Sequence, residues 1–149
     1  MIVLLLSPSG SFETALDSLP LTPGRDAVIV ASAVGGDAPA GTEEVLLGSG
    51  ALPPRGRLMA ALEKSAVGRN LKRVLPSDGG RRFAAKARRD PAFRTAVAKA
   101  DLIVALERDA VLAAWIGLRR WAPSNAQGVF GVAPARALLT SRAQPSAAP

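Results

Sequence analysis

The feature that most constrains the fold is a short, unbroken apolar run, LIVAL, at residues 102–106. Such a run is typical of a strand that is covered on both faces of a sheet. The polar triplet ERD at residues 107–109 ends it, and its acids lie where the dipole of a following helix favours negative charge. Helical spacing then predicts an inward-facing stripe at Val111, Leu112, Trp115, Ile116 and Leu118. A strand, a tight turn and a helix form half of a βαβ unit.

The rest of the chain alternates strand-like apolar runs with helical patterns. Further strands are predicted at residues 2–6, 27–30, 44–47 and 128–132. Helices are predicted at residues 12–18, 57–64, 65–75, 81–89, 91–100 and 134–140. This alternation predicts a Rossmann-like three-layer α/β domain with a mainly parallel sheet of four or five strands. We expect residues 1–141 to form this single domain and residues 142–149 to be a disordered tail.

Three residue types are missing from the chain: cysteine, histidine and tyrosine. Disulfides, thiolate sites, Ser-His-Asp triads and histidine-bearing zinc sites are therefore excluded. Acid–base chemistry would depend on carboxylates or lysine. The acids Asp37, Glu43 and Glu44 lie in and after a glycine-rich loop without metal-ligand spacing. We therefore predict no catalytic residue, no cofactor and no metal site.

The longest terminal apolar run, residues 1–6, is too short for a signal sequence or a membrane span and runs directly into Ser-Pro-Ser-Gly. It is predicted as the first strand. No other apolar run approaches the length of a span, so we expect a soluble, cytoplasmic protein.

Candidate binding residues follow two of the predicted strands. Ser9, Gly10 and Ser11 come after the first strand, and Glu107, Arg108 and Asp109 come after the strand at 102–106. If the strands are parallel, both groups lie at the same edge of the sheet, where ligands bind in α/β domains. The position of the first group, directly after a strand, suits a phosphate-binding loop. It lacks the established glycine patterns and a following lysine, so the alternative is an ordinary turn. In the second group two carboxylates flank an arginine, which suits a sugar hydroxyl or another acceptor. The alternative is that Asp109 caps the next helix while Glu107 and Arg108 are solvated.

Positive charge is concentrated between residues 55 and 99, where thirteen Lys and Arg face three acids, within a chain of net charge +7. A row of basic side chains is predicted on the outer face of the helix at 81–89: Arg81, Arg82, Lys86, Arg88 and Arg89. Such a face suits nucleic acid or another anionic surface. The alternative is a solvated helix face in an arginine-rich chain.

Three segments carry a resemblance to a known family: RRF at residues 81–83, RRDP at 88–91 and ADLIVALERDAV at 100–111. Over residues 80–120 the chain resembles the N-terminal half of bacterial GT-B type glycosyltransferases. The resemblance implies the acceptor-side domain of a two-domain transferase, whose nucleotide sugar is held mainly by the C-terminal domain. The histidine that often serves as base in the N-terminal half is absent here, as is the acidic donor-binding motif.

With 149 residues the chain has no room for a second domain. The resemblance therefore implies a fragment, a partner subunit or a domain that has lost activity. The leading hypothesis is an acceptor-side module that works with a donor-binding subunit or a missing C-terminal domain, and its status as an enzyme stays open. The alternative is a non-enzymatic basic module that binds nucleic acid or another polyanion through residues 55–99.

Overall fold

The computed structural model describes residues 1–35, 39–48 and 79–143. The predicted helices at 57–64 and 65–75 and the basic residues between 55 and 78 lie outside these ranges. The described strands are β1 (Ile2–Leu6), β2 (Ala27–Ser32), β3 (Glu43–Leu46), β4 (Leu102–Ala105) and β5 (Gln127–Phe130).

The helices of the described residues cover the two faces of the sheet. They are α1 (Glu13–Ser18), α2 (Gly79–Arg89), α3 (Pro91–Lys99), α4 (Val111–Arg120) and α5 (Val132–Ala143). A 3₁₀ turn (Arg108–Ala110) comes directly before the helix that starts at Val111. None of the helices in this part of the chain combines the length and apolarity that a membrane span requires.

The five strands form one parallel sheet in the order β3-β2-β1-β4-β5. β1 lies at its centre, where Leu4 pairs with Ile29 of β2 on one side and with Ile103 of β4 on the other. The predicted Rossmann-like fold class is confirmed. β2 and β3 pair in parallel, although the described parts of their connection contain no helix.

The apolar core is divided between the two faces of the sheet because successive side chains of a strand point to opposite faces. Val3 and Leu5 of β1 pack in a cluster with residues of α1 and α5. Leu4 and Leu6 pack in a second cluster with residues of α2, α3 and α4. The molecule therefore has the three layers that the sequence predicts.

The predicted element bounds shift by one or two residues at most ends. The largest difference is in α5, which was expected over residues 134–140 and runs from Val132 to Ala143. Arg142 and Ala143 therefore belong to a helix and not to the predicted tail. The other residues of that tail, 144–149, lie outside the described part of the chain.

The orientation of α4 differs from the prediction. Trp115, expected in the core, is 57% exposed, and Val111 and Leu112 are exposed as well. The buried residues of α4 are Ala113 and Gly117. A Cβ atom on Gly117 would lie 3.2 Å from Val97 of α3, so small residues set this close packing. Trp115 is about 200° around the helix from both small residues and therefore points outward.

The start of α3 follows the sequence prediction. Asp90 precedes Pro91, and its Oδ1 accepts hydrogen bonds from the backbone N–H groups of Ala92 and Phe93 at 2.9 and 3.2 Å. These contacts satisfy two backbone donors that a helix N-terminus leaves unpaired. Phe93 is fully buried in the core. The cap therefore fixes where the helix that feeds β4 begins.

We expect Asp90→Ala to lower the free energy of unfolding by about 1 kcal/mol, because the two N–H groups lose their acceptor. Urea unfolding measures the difference. Asp90→Asn is the matched control, since its side-chain oxygen still accepts these bonds, and it should stay near the original stability. Equal stability of the alanine and asparagine variants would contradict a capping role.

Candidate functional site

The strand order creates a crevice between β1 and β4. From β1 the chain proceeds to β2 and β3 on one side, and from β4 it proceeds to β5 on the other. The loops after β1 and β4 therefore diverge at the carboxyl edge of the sheet. Open α/β sheets bind ligands at such a switch point.

A serine–carboxylate cluster lies at this switch point. Ser7 follows β1 and is fully buried, whereas Glu107 follows β4 and is partly exposed. The hydroxyls of Ser7 and Ser9 both donate to Glu107 Oε1, the second at 2.5 Å, and the Ser9 N–H donates to the same oxygen at 3.2 Å. The cluster joins residues about one hundred positions apart in the sequence.

The backbone of the first loop is turned toward its own side chains. The N–H groups of Gly10 and Ser11 donate to the Ser7 carbonyl and hydroxyl oxygens at 3.1 and 3.0 Å. Gly10 has a φ of +80°, which a glycine adopts without the steric cost that other residues incur. Because the N–H groups of Ser9, Gly10 and Ser11 are all occupied, the geometry favours an ordinary turn over a phosphate-binding loop.

Electrostatics keep Glu107 ionised. Partial burial of the carboxyl group opposes ionisation, but hydrogen bonds from the Ser7 hydroxyl and from the Ser9 hydroxyl and amide outweigh it. The pKa of Glu107 is therefore lowered from its usual 4.5. At neutral pH the group is a carboxylate that accepts hydrogen bonds and does not donate a proton.

One oxygen of Glu107 remains available. All three hydrogen bonds from described residues go to Oε1, and none goes to Oε2. Glu107 itself is partly exposed. The exposed hydroxyls of Ser9 and Ser11 lie 3.0 Å apart beside it. The polar groups gathered here are thus one carboxylate and the hydroxyls of Ser9 and Ser11.

The other two residues of the polar triplet lie elsewhere. Arg108 is exposed on the 3₁₀ turn and lines a cavity with Gly79, Gly80 and Trp115. Asp109 lies against the first residue of α2, where a Cβ on Gly79 would overlap its Oδ2 atom. A carboxylate at a helix N-terminus stabilises the helix. Asp109 therefore stabilises the start of α2, and it makes no capping hydrogen bond to α4, the helix that follows it.

The predicted basic face is exposed along α2: Arg81, Arg82, Lys86, Arg88 and Arg89. Phe83 and Ala87 are buried beneath it, as expected. Lys86 differs from the others because its side chain packs on Gly48, two positions after β3. A Cβ atom on Gly48 would lie 3.2 Å from the Lys86 side chain. The basic face therefore lies on the side of the sheet that α2, α3 and α4 cover, and none of its residues bonds to the Glu107 cluster in the contacts described above.

Two features escaped the sequence reasoning. Ser7 was placed in the turn but not among the candidate binding residues, although it is the first polar residue after a buried strand. The exposed position of Trp115 was also missed, because helical spacing alone does not say which face of a helix packs inward. In the described residues no three acidic side chains lie close enough together to hold a metal ion.

No protein-family model, curated protein or solved structure matched the chain. The geometry at the carboxyl edge is therefore the basis for assigning a function.

The lowered pKa of Glu107 implies that the free energy of unfolding depends on pH in the acid range. Ionised Glu107 contributes stability above pH 4.5, and that contribution is lost as the pH falls through the lower folded-state pKa. We expect Glu107→Gln to be less stable than the original chain at neutral pH and to approach it in acid. Urea unfolding at stepped pH values tests this. The exposed Glu44 supplies the control Glu44→Gln, and a pH-independent difference for Glu107→Gln would contradict the linkage.

The contact between Gly79 and Asp109 predicts a non-additive pair of substitutions. Gly79→Ala should destabilise the chain by about 1–3 kcal/mol, because the new Cβ overlaps the Asp109 carboxylate. In an Asp109→Ala background the same change should be neutral or stabilising by up to about 1 kcal/mol, as alanine favours a helix more than glycine does. Additive effects in thermal or urea unfolding would show that the two residues do not touch.

Proposed function

We propose that the chain is the acceptor-side domain or subunit of a cytoplasmic glycosyltransferase-like protein, and that it binds a hydroxyl-rich acceptor at the Glu107 cleft. The observation that supports this proposal is an ionised, partly exposed Glu107 at the switch point between β1 and β4, whose Oε2 receives no hydrogen bond from the described residues. The resemblance of residues 80–120 to GT-B acceptor domains points in the same direction.

The chemistry of the cleft suits a sugar. Neighbouring hydroxyls of a sugar ring donate hydrogen bonds to a carboxylate, and bonds to a charged acceptor are shorter and stronger than neutral ones. The Ser9 hydroxyl donates its proton to Glu107 and can accept from a ligand, whereas the exposed Ser11 can both donate and accept. An anionic ligand would instead meet the negative charge of Glu107.

The same features argue for binding over catalysis by Glu107. A general base works best when its pKa lies near the operating pH, whereas the pKa of Glu107 is lowered from 4.5. The chain also has no histidine. In the proposed function, a donor-binding partner domain or subunit therefore holds the nucleotide sugar and supplies the groups for transfer.

A second candidate function is polyanion binding by the basic face of α2. It is favoured by the exposure of Arg82, Arg88 and Arg89, none of which forms an ion pair with another residue of the described ranges. Such a face would bind nucleic acid with an affinity that falls steeply with salt. It makes no use of Glu107, which separates it from the first candidate.

Saturation-transfer NMR with a panel of methyl glycosides tests acceptor binding on the full chain. For a glycoside that binds, Glu107→Gln should weaken binding about tenfold or more. The amide keeps one oxygen for the serines but replaces the other oxygen with a donor. Glu44→Gln, which changes charge equally, should bind as before. No glycoside binding, or equal binding by Glu107→Gln, would refute the proposal. Binding of nucleic acid alone would favour the second candidate.

A further inference from the structure

The exposed apolar side chains of the described residues are concentrated near one place. Four of the five large ones, Val111, Leu112, Trp115 and Phe130, lie on α4 and at the end of β5. Val111, Trp115 and Phe130 line one groove of about 220 Å³ between these elements. Single exposed apolar residues are ordinary on protein surfaces, but a contiguous group marks an interaction site.

On α4 and the 3₁₀ turn before it, exposed residues form a row, here called the α4 stripe: Arg108, Val111, Leu112, Trp115 and Arg119. Its members are three or four residues apart, apart from the adjacent Val111 and Leu112, which is the spacing of one helix face. The buried Ala113 and Gly117 lie on the opposite face. The stripe therefore points away from the core.

The ends of the α4 stripe are positively charged. Arg108 precedes the apolar residues, and the Arg119 guanidinium lies 5.5 Å from the centre of the Trp115 ring. No acid belongs to the stripe, and Asp109 beside it is directed at the start of α2. The chain as a whole carries a net charge of +7. The surface that complements this pattern has negative charge around an apolar interior.

We propose that the α4 stripe, together with Phe130, docks the chain on the surface of an anionic phospholipid bilayer. Helices with tryptophan and leucine flanked by arginine bind at this interface: the apolar side chains enter the boundary of the acyl region while the cations meet lipid phosphates. Long arginine side chains reach the headgroups without leaving the apolar surface. This inference is independent of the acceptor-binding proposal.

The same charges disfavour a second copy of the chain as the occupant of the stripe. A two-fold pairing of stripes would bring arginines of one copy against arginines of the other, with no acid in the stripe to compensate. A bilayer with anionic headgroups meets both arginines with opposite charge.

Sedimentation with phosphatidylcholine vesicles, with and without phosphatidylglycerol, tests the proposal on the full chain. We expect binding only to the anionic vesicles, with a blue shift of tryptophan fluorescence that Trp115→Ser removes. Arg108→Gln with Arg119→Gln should weaken binding about twenty-five-fold, or about fivefold for each arginine. Leu112→Ser with Trp115→Ser should abolish binding while the chain stays folded, because both side chains lie at the surface, 38% and 57% exposed.

Arg82→Gln with Arg88→Gln is the matched control, since it removes the same charge from the exposed face of α2. It should leave most vesicle binding intact. Three outcomes would overturn the proposal: no binding to anionic vesicles, an equal loss in the α2 control, or a Trp115-dependent dimer in sedimentation equilibrium. Binding that persists in Leu112→Ser with Trp115→Ser would also exclude docking by the stripe.

Discussion

The position of β1 between β2 and β4 is the constraint on which the rest of the structure depends. Residues from Val3 to Leu6 are fully buried, and β1 pairs in register on both sides. Backbone groups buried this deeply must be paired, so the strand needs both neighbours. The pairing of Leu6 with Ala105 then brings the ends of β1 and β4 together. Ser7 and Glu107 meet because of that register.

The serine–carboxylate cluster shows how a buried hydroxyl can prepare a binding group. Ser7 is fully buried and holds Oε1 of Glu107 while its own oxygen accepts the Ser11 N–H. The bonds from Ser7 and Ser9 lower the pKa of Glu107 and hold one of its oxygens, and the described residues donate no hydrogen bond to the other. Binding at such a group costs little rearrangement, since the protein already holds it in place.

The α4 helix follows the Glu107 segment in the chain and carries a second surface, the apolar and basic α4 stripe. Its small residues Ala113 and Gly117 allow α3 and the sheet to approach closely, which fills the core but leaves Trp115 on the outside. There Trp115 lies beside Phe130 and Arg119, which together form the surface proposed above to bind lipid. Glu107 of the serine–carboxylate cluster and Arg108 of the α4 stripe are adjacent in the sequence.

The sequence by itself determined the α/β class, the parallel sheet and the start of α3, because apolar runs, helical spacing and an Asp-Pro cap are local signals. It also placed Ser9, Ser11 and Glu107 at one edge of the sheet. Only the tertiary structure decided which members of the triplet at 107–109 share a site. Glu107 turns to Ser7, whereas Asp109 turns to α2. It also turned Trp115 outward, because packing depends on how closely neighbouring helices approach, and spacing along one helix does not encode that distance.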